Sequence, residues 1–382
     1  MSLGSVIVNN QNLMQGSPTE IERLYLFVGV LAAGLADSNL GKVHAIAAQT
    51  DLDALLGEDD STLKTQVNAA RENGGQNWFA YALPLADSAD QLEAVDSAIA
   101  EVSVEGVVMC DPVDQKSDFE TMHAKAESMI GKYQRRVHFL ACYPAIDSTP
   151  STGQSWSEYA SAANAATDGV AADRVCAVAM LYPEFIGALA GRLANKSVTV
   201  ADSPMRTATG SLIGSYAERP KDKDGQPLTK AVLTQLHNEG RYCVPTWYED
   251  YDGTYTSDGS MLAPVTSDYS VIENLRLADK AARRIYFLLV AKVADRKLNS
   301  TPKSEAQHIT YFGKPLREMS HSTTVGGITF PGEFKTPQAG DIVISWPTRT
   351  KVQVYFKLRP YEIAKELEGN ILLDLSNPAD QA

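Results

Sequence analysis

The sequence predicts an α/β protein: a three-layer α/β domain with a mostly parallel sheet, then a C-terminal α+β domain built on one long helix, with a strand-forming arm at each chain end. Three observations predict it. Between residues 21 and 182, apolar strand-like runs alternate with amphipathic helical ones. From Gly240 to Asn299, an aromatic, turn-rich stretch gives way to a sustained helical period. At both ends lies a short β-capable run with no hairpin mate nearby. The expected divisions are an N-terminal arm at 1–18, the α/β domain at 19–200, a linker or hairpin region at 201–239, the C-terminal domain at 240–368 and a C-terminal arm at 369–382.

The first element is Ser5–Asn10, in which Val6, Ile7 and Val8 can form a strand and Gly16-Ser17-Pro18 breaks the chain after it. It reads as an arm, a frayed terminus or an edge strand of the subunit's own sheet. Strands are then expected at Leu24–Val30, Val43–Ala47, Trp78–Leu83, Val104–Cys110, Val137–Cys142 and Val175–Leu181. Their apolar runs suit strands covered on both faces, as in a parallel sheet. Helices are expected at Thr62–Asn73, Ala89–Glu101, Asp118–Lys132 and Trp156–Ala166, each with one apolar face. From Ser197 to Asn238 the pattern weakens, and Pro220-Lys221-Asp222-Lys223-Asp224-Gly225 reads as an exposed loop or hairpin tip.

In the C-terminal domain, Tyr242, Val244, Trp247 and Tyr248 lead into Asp252-Gly253, a pair suited to a tight turn. The return strand Thr254–Thr256 ends at a second such pair, Asp258-Gly259. Ser270 and Glu273 have capping-box spacing. The helix they open is expected to run to about Asn299, roughly 45 Å at 1.5 Å per residue. Val271, Leu275, Ala278, Ala282, Ile285, Leu289 and Val293 form its apolar stripe, with Glu273, Arg276, Lys280, Arg283 and Arg284 largely off it. Ser304–Met319 is ambiguous, and strands follow at Gly326–Phe330, Ile342–Trp346 and Val352–Leu358. A helical stretch, Tyr361–Leu367, is broken by Gly369-Asn370 before a terminal strand containing Ile371, Leu372 and Leu373. Unpaired terminal strands can be completed by another chain.

The stretch from Gly240 to Asn299 resembles the C-terminal core domain of contractile phage tail sheath proteins. The family's Tyr-x-Gly-x-Tyr-x-x-Asp-Gly unit falls on Tyr251, Gly253, Tyr255, Asp258 and Gly259, its acidic-aromatic step on Asp268 and Tyr269, and its Arg-x-x-Asp-Lys helix on Arg276, Asp279 and Lys280. The resemblance implies a structural subunit of a virion tail, from an intact or prophage-derived particle, assembled in the bacterial host cytoplasm. It would stack on itself as a helical homo-oligomer around a tail tube protein, meet baseplate and tail terminator proteins, and contract to drive the tube through the host envelope. The C-terminal domain would face the tube and the arms would knit neighbours together.

Composition agrees with such a role. The 382 residues are 44% hydrophobic and 21% charged, ample for real cores. A net charge of −13 argues against direct nucleic-acid binding, and no apolar run is long enough for membrane insertion. Cys110, Cys142, Cys176 and Cys243 are far apart, three of them in apolar runs, which predicts buried thiols rather than disulfides or a metal site. Gly29-Val30-Leu31-Ala32-Ala33-Gly34 has phosphate-loop glycine spacing, but Leu35 and Ala36 replace the required Lys and Ser/Thr. Gly210-Ser211-Leu212-Ile213-Gly214 places its serine one position too early for a nucleophile elbow. Asp250, Asp252 and Asp258 lack the Gly and Glu of a calcium loop, and the six histidines show no ligand spacing. Arg276, Asp279 and Lys280 are read as an intrahelical or intersubunit salt-bridge network. No catalytic residue, cofactor or metal is expected. The alternative, a cytosolic α/β enzyme or ligand-binding protein, rests on fold analogy alone.

Overall fold

The structure, a computed structural model, describes residues 21–31, 39–88, 90–264 and 266–373. Val6, Ile7 and Val8 lie outside the described residues, as does the second half of the glycine loop after Leu31.

A six-stranded sheet forms the centre of the N-terminal part, in the order β2-β3-β1-β4-β5-β6. Its strands are β1 (Tyr25–Val30), β2 (His44–Ala47), β3 (Phe79–Leu85), β4 (Gly106–Met109), β5 (His138–Tyr143) and β6 (Val175–Ala179). All neighbours pair in parallel except β2, which closes one edge antiparallel to β3. β4, β5 and β6 are buried along their whole length, which explains their unbroken apolar runs. The order reverses direction after β3. Right-handed crossovers therefore put α2 (Thr62–Asn73) on one face, and α3 (Gln91–Glu101), α4 (Lys116–Tyr133) and α5 (Trp156–Thr167) on the other. This is the expected three-layer α/β arrangement.

The helix α6 (Phe185–Ala194) escapes the sequence pattern because every one of its residues is buried, so it has no polar face to set a period. It packs on α2 at backbone distance. A Cβ at Gly187 would lie 2.2 Å from Gln66 O, and one at Gly191 2.4 Å from Ala70 O. Short α1 (Leu52–Leu56) and α7 (Lys230–Asn238) were likewise unforeseen.

The core of these layers continues through Tyr242, Cys243, Val244, Met261, Leu262, Ile272 and Leu275. Cys243 extends the sheet through a parallel bridge to Val178, and Leu262 pairs with Ala172. A smaller core follows, made by Val200, Leu277, Ala281, Ile285, Leu316, Met319, Phe334 and Ile342. It lies among α8 (Ile272–Val290), α10 (Lys314–Met319) and the hairpin β11–β12 (Ile342–Thr348, Lys351–Phe356); α9 (Pro302–Phe312) and the hairpin β9–β10 (Thr323–Val325, Ile328–Phe330) are the other elements of this part.

Several local expectations are corrected. The turn between β7 (Pro245–Tyr248) and β8 (Tyr251–Thr256) is Glu249-Asp250, with Asp250 at φ 58°, not Asp252-Gly253. Gly253 instead lies inside β8 at φ 100°, where a Cβ would meet Ser211 Cβ at 2.4 Å. The Ser270 capping box is absent: Val271 occupies the N-cap and the Glu273 side chain turns inward. α8 has 19 residues, about 28 Å, and stops at Val290. Beyond Ile285 its stripe meets no core, so Leu289 and Val293 are exposed, and Ala294 takes φ 60°. Tyr361–Leu367 is not a helix but an extended, largely exposed strap.

Candidate assembly surfaces

The α8 helix carries its charges inward. Glu273, Arg276, Asp279 and Lys280 are all buried, the reverse of the expected polarity, and each meets an opposite charge from another element. Arg276 donates to both oxygens of Glu105, at 2.7 and 2.9 Å, and to Leu193 O at 2.9 Å. Asp279 receives Arg174 at 2.9 and 3.3 Å. Lys280 pairs with Glu333, and Arg283 with Glu22 at 3.0 Å. Lys365 reaches Glu273 at 2.7 Å and Asp258 at 2.6 Å. The motif charges are thus neither intrahelical nor intersubunit pairs. They join α8 to the sheet layers on one side and to the C-terminal elements on the other.

Burial alone would raise the Glu105 carboxyl, but the Arg276 charge and hydrogen bonds outweigh it and hold the group at about 2. His138, hydrogen-bonded to Tyr25 Oη at 3.2 Å, is lowered to about 4, chiefly by burial. Burial, reinforced by Asp258, raises Glu273.

The remaining motif residues sit apart from this network. Tyr251 and Tyr255 join Tyr248 in an aromatic trio with centroids 5.8–6.3 Å apart on the β7–β8 hairpin. Gly259 is packed so that a Cβ would lie 2.5 Å from Ile272 Cγ2. Asp268 and Tyr269 lie on an exposed loop, where Asp268 O caps the Asn274 side chain at 3.0 Å. Ile371, Leu372 and Leu373 are strongly exposed and form no strand pairing among the described residues.

Sequence reading missed the partners Glu22, Glu105, Arg174, Glu333 and Lys365. Glu105 left one signal, an acid within an apolar strand run; the others are ordinary surface-type residues in sequence.

The place where a doubly wound sheet offers a ligand crevice is the reversal between β1 and β4. There Asp111 accepts from Val30 N at 2.9 Å, Thr62 Oγ1 at 2.9 Å and Gln91 Nε2 at 2.6 Å, so its carboxylate ties the layers together. Among the described residues, no cluster of His, Cys, Asp or Glu could hold a metal, and no helix is long and apolar enough to cross a membrane.

Open β edges are present instead. Each strand of β11–β12 pairs only with the other among the described residues, and Val343 and Tyr355 expose 47% and 56% of their surface.

Comparison with known proteins places these features. The DUF2586 N-terminal domain profile matches residues 3–260 and the DUF2586 C-terminal domain profile residues 268–376. A protein of Haemophilus phage HP1 named "Putative tail sheath protein" is 44% identical over 377 residues, covering 98% of both chains. The contracted sheath of the PVC extracellular contractile injection system has the same fold, at TM-score 0.63 and 13% identity over 98% of each chain. So does the contracted helical sheath of the anti-feeding prophage, at TM-score 0.60 and 16% identity over 98% of this chain and 100% of that one. A Listeria innocua sheath tail protein matches at TM-score 0.54 and 8% identity over 90% and 93%. The chain belongs to the phage tail sheath protein family, as a structural subunit of a contractile tail and not an enzyme.

Proposed function

We propose that the subunit polymerises helically around a tail tube, is anchored at a baseplate and capped by a terminator protein, and drives the tube through the host envelope when the lattice contracts. Assembly in the host cytoplasm belongs to the same reading. Residues 1–18 and 369–382 act as arms, each adding a strand to a neighbour's open sheet edge. The observation that carries this is the β11–β12 hairpin, seven and six residues long and, among the described residues, unpaired on both outer edges. The exposed Ile371, Leu372 and Leu373 supply β-capable chain of the right kind. Backbone pairing of this sort survives large rotations between subunits, since linkers rather than side-chain interfaces absorb the motion.

The test compares the full chain with deletions of residues 1–16 and 370–382, by thermal melting and electron microscopy. The reading expects tubes or rings from the full chain, loss of assembly in either deletion, and melting within a few degrees of the parent. Deletions that still assemble, or that unfold the subunit, refute it.

A further inference from the structure

The strap after β12 is held to the subunit chiefly by one half-buried charge, Lys365, whose side chain is 26% exposed. From Tyr361 to Asn370 every residue is exposed except Lys365. Its ammonium inserts between Asp258 Oδ2, at 2.6 Å, and Glu273 Oε1, at 2.7 Å, whose side chains are only 13% and 2% exposed. Ser203 Oγ fixes the other Asp258 oxygen at 3.1 Å. The strap's second tether, Lys335 to Glu362, joins side chains 41% and 83% exposed. Exposed pairs of that kind hold weakly.

The strap forms part of the lining of a cavity of about 470 Å³, to which residues between 199 and 208 also contribute. Apolar packing does little to hold the strap there, since Ile363 and Leu367 are 41% and 87% exposed. A half-buried ammonium seated between two buried carboxylates is different. Each partner requires the other, because withdrawing the cation would leave two acids desolvated and facing each other.

We propose that Lys365 is the positioning residue for the C-terminal segment: clamped by Asp258 and Glu273, it fixes the root of that segment at the N-terminal end of α8, so the chain reaches Ile371 from one defined point on each subunit. The proposal rests on the arm reading only for what the anchored segment then does. It also gives the motif residue Asp258 a role, since Asp258 and Glu273 form the socket. A short arm that must find a neighbour's sheet edge gains from a fixed origin, because a free root would lower its effective concentration there.

The test uses the full chain in dilute, unassembled form. The four native cysteines are buried. Nitroxides can therefore be placed selectively at Leu367→Cys on the strap and Ala208→Cys elsewhere on the cavity lining, and their separation read by pulsed electron paramagnetic resonance. The parent and Lys365→Arg should give one narrow distance distribution. Lys365→Met should broaden it severalfold. Because that variant leaves Glu273 without a countercharge, the pair Lys365→Met with Glu273→Gln is measured as well; it should broaden the distribution while keeping the parent circular dichroism. A broadened distribution supports the clamp whatever deletion of 370–382 does to assembly, so the two readings fail separately. A distribution that stays narrow in the paired variant overturns it.

Discussion

Replacing Arg276 by Met should be among the most destabilising single changes in the chain. The guanidinium is 2% exposed and Glu105 1%, with two hydrogen bonds between them and a third to Leu193 O. Arg276→Met leaves a buried carboxylate whose only described remaining donor is Arg23 N. Stranding one partner of a buried pair costs about 3–5 kcal/mol. The lowered carboxyl of Glu105, caused by the same Arg276 contact, points the same way. Its folded pKa of about 2 lies below the ordinary 4.5, so the pair's stabilisation is fully present above pH 4.5 and is lost as pH falls through 2. That displacement corresponds to about 3 kcal/mol, in the same range. The assay is urea unfolding of the unassembled subunit at pH 7, followed by tryptophan fluorescence and far-UV circular dichroism. Arg276→Met should lower the midpoint strongly at unchanged slope. Adding Glu105→Gln, which removes the stranded charge and keeps an acceptor for Arg23 N, should recover more than half of the loss. If Arg276→Met costs less than about 1 kcal/mol, a surface-pair value, the junction is not the desolvated contact described here.

His138 should shape the acid limb of the stability curve. Its folded pKa of about 4 against 6.5 means that only the unfolded chain takes up the proton between those values. Stability is therefore lost as pH falls from 6.5 to 4, and His138→Gln should flatten melting temperature against pH across that window. Gly259→Val should cost about 1–3 kcal/mol by forcing a side chain into Ile272 and Pro204, with lower solubility and melting temperature as readouts. The thiols should be inert to an aromatic disulfide reagent in the native state, since burial raises Cys142 and Cys243 to about 12, and all four should react once urea unfolds the chain. Rapid native reaction of any of them would contradict the burial.

The sheet was legible because its strands announce themselves. β4, β5 and β6 are buried on both faces, and the helices between them, α4 and α5, each have one wet side. α6 was invisible for the opposite reason: a helix buried all round carries no alternation, and its glycines mark contact with α2 rather than a turn. The α8 motif was found by resemblance, yet hydrophobic periodicity assigned Arg276 and Lys280 to the wrong side. Periodicity assumes that charge seeks water, and a charge with a buried partner does not. The false extension of α8 to Asn299 came from Leu289 and Val293, apolar residues at helical spacing with no core opposite them. The turn at Glu249-Asp250 was passed over because Asp252-Gly253 looks better in isolation, and only the strand register shows Gly253 inside β8.

The order of charges along α8 also acts as a key that fits in one setting. A slip of one turn, about 5.4 Å, in one direction would set Leu277 against Lys365, Arg283 against Arg174 and Phe287 against Glu22. In the other it would set Ile272 against Glu105, Leu275 against Arg174 and Asp279 against Glu22. Either displacement strands or repels at least three buried charges, so shear between the two halves of the subunit meets a steep barrier rather than a gradual yield. A sheath made of such subunits would transmit force through stiff bodies, leaving the strain of contraction to the connections between them.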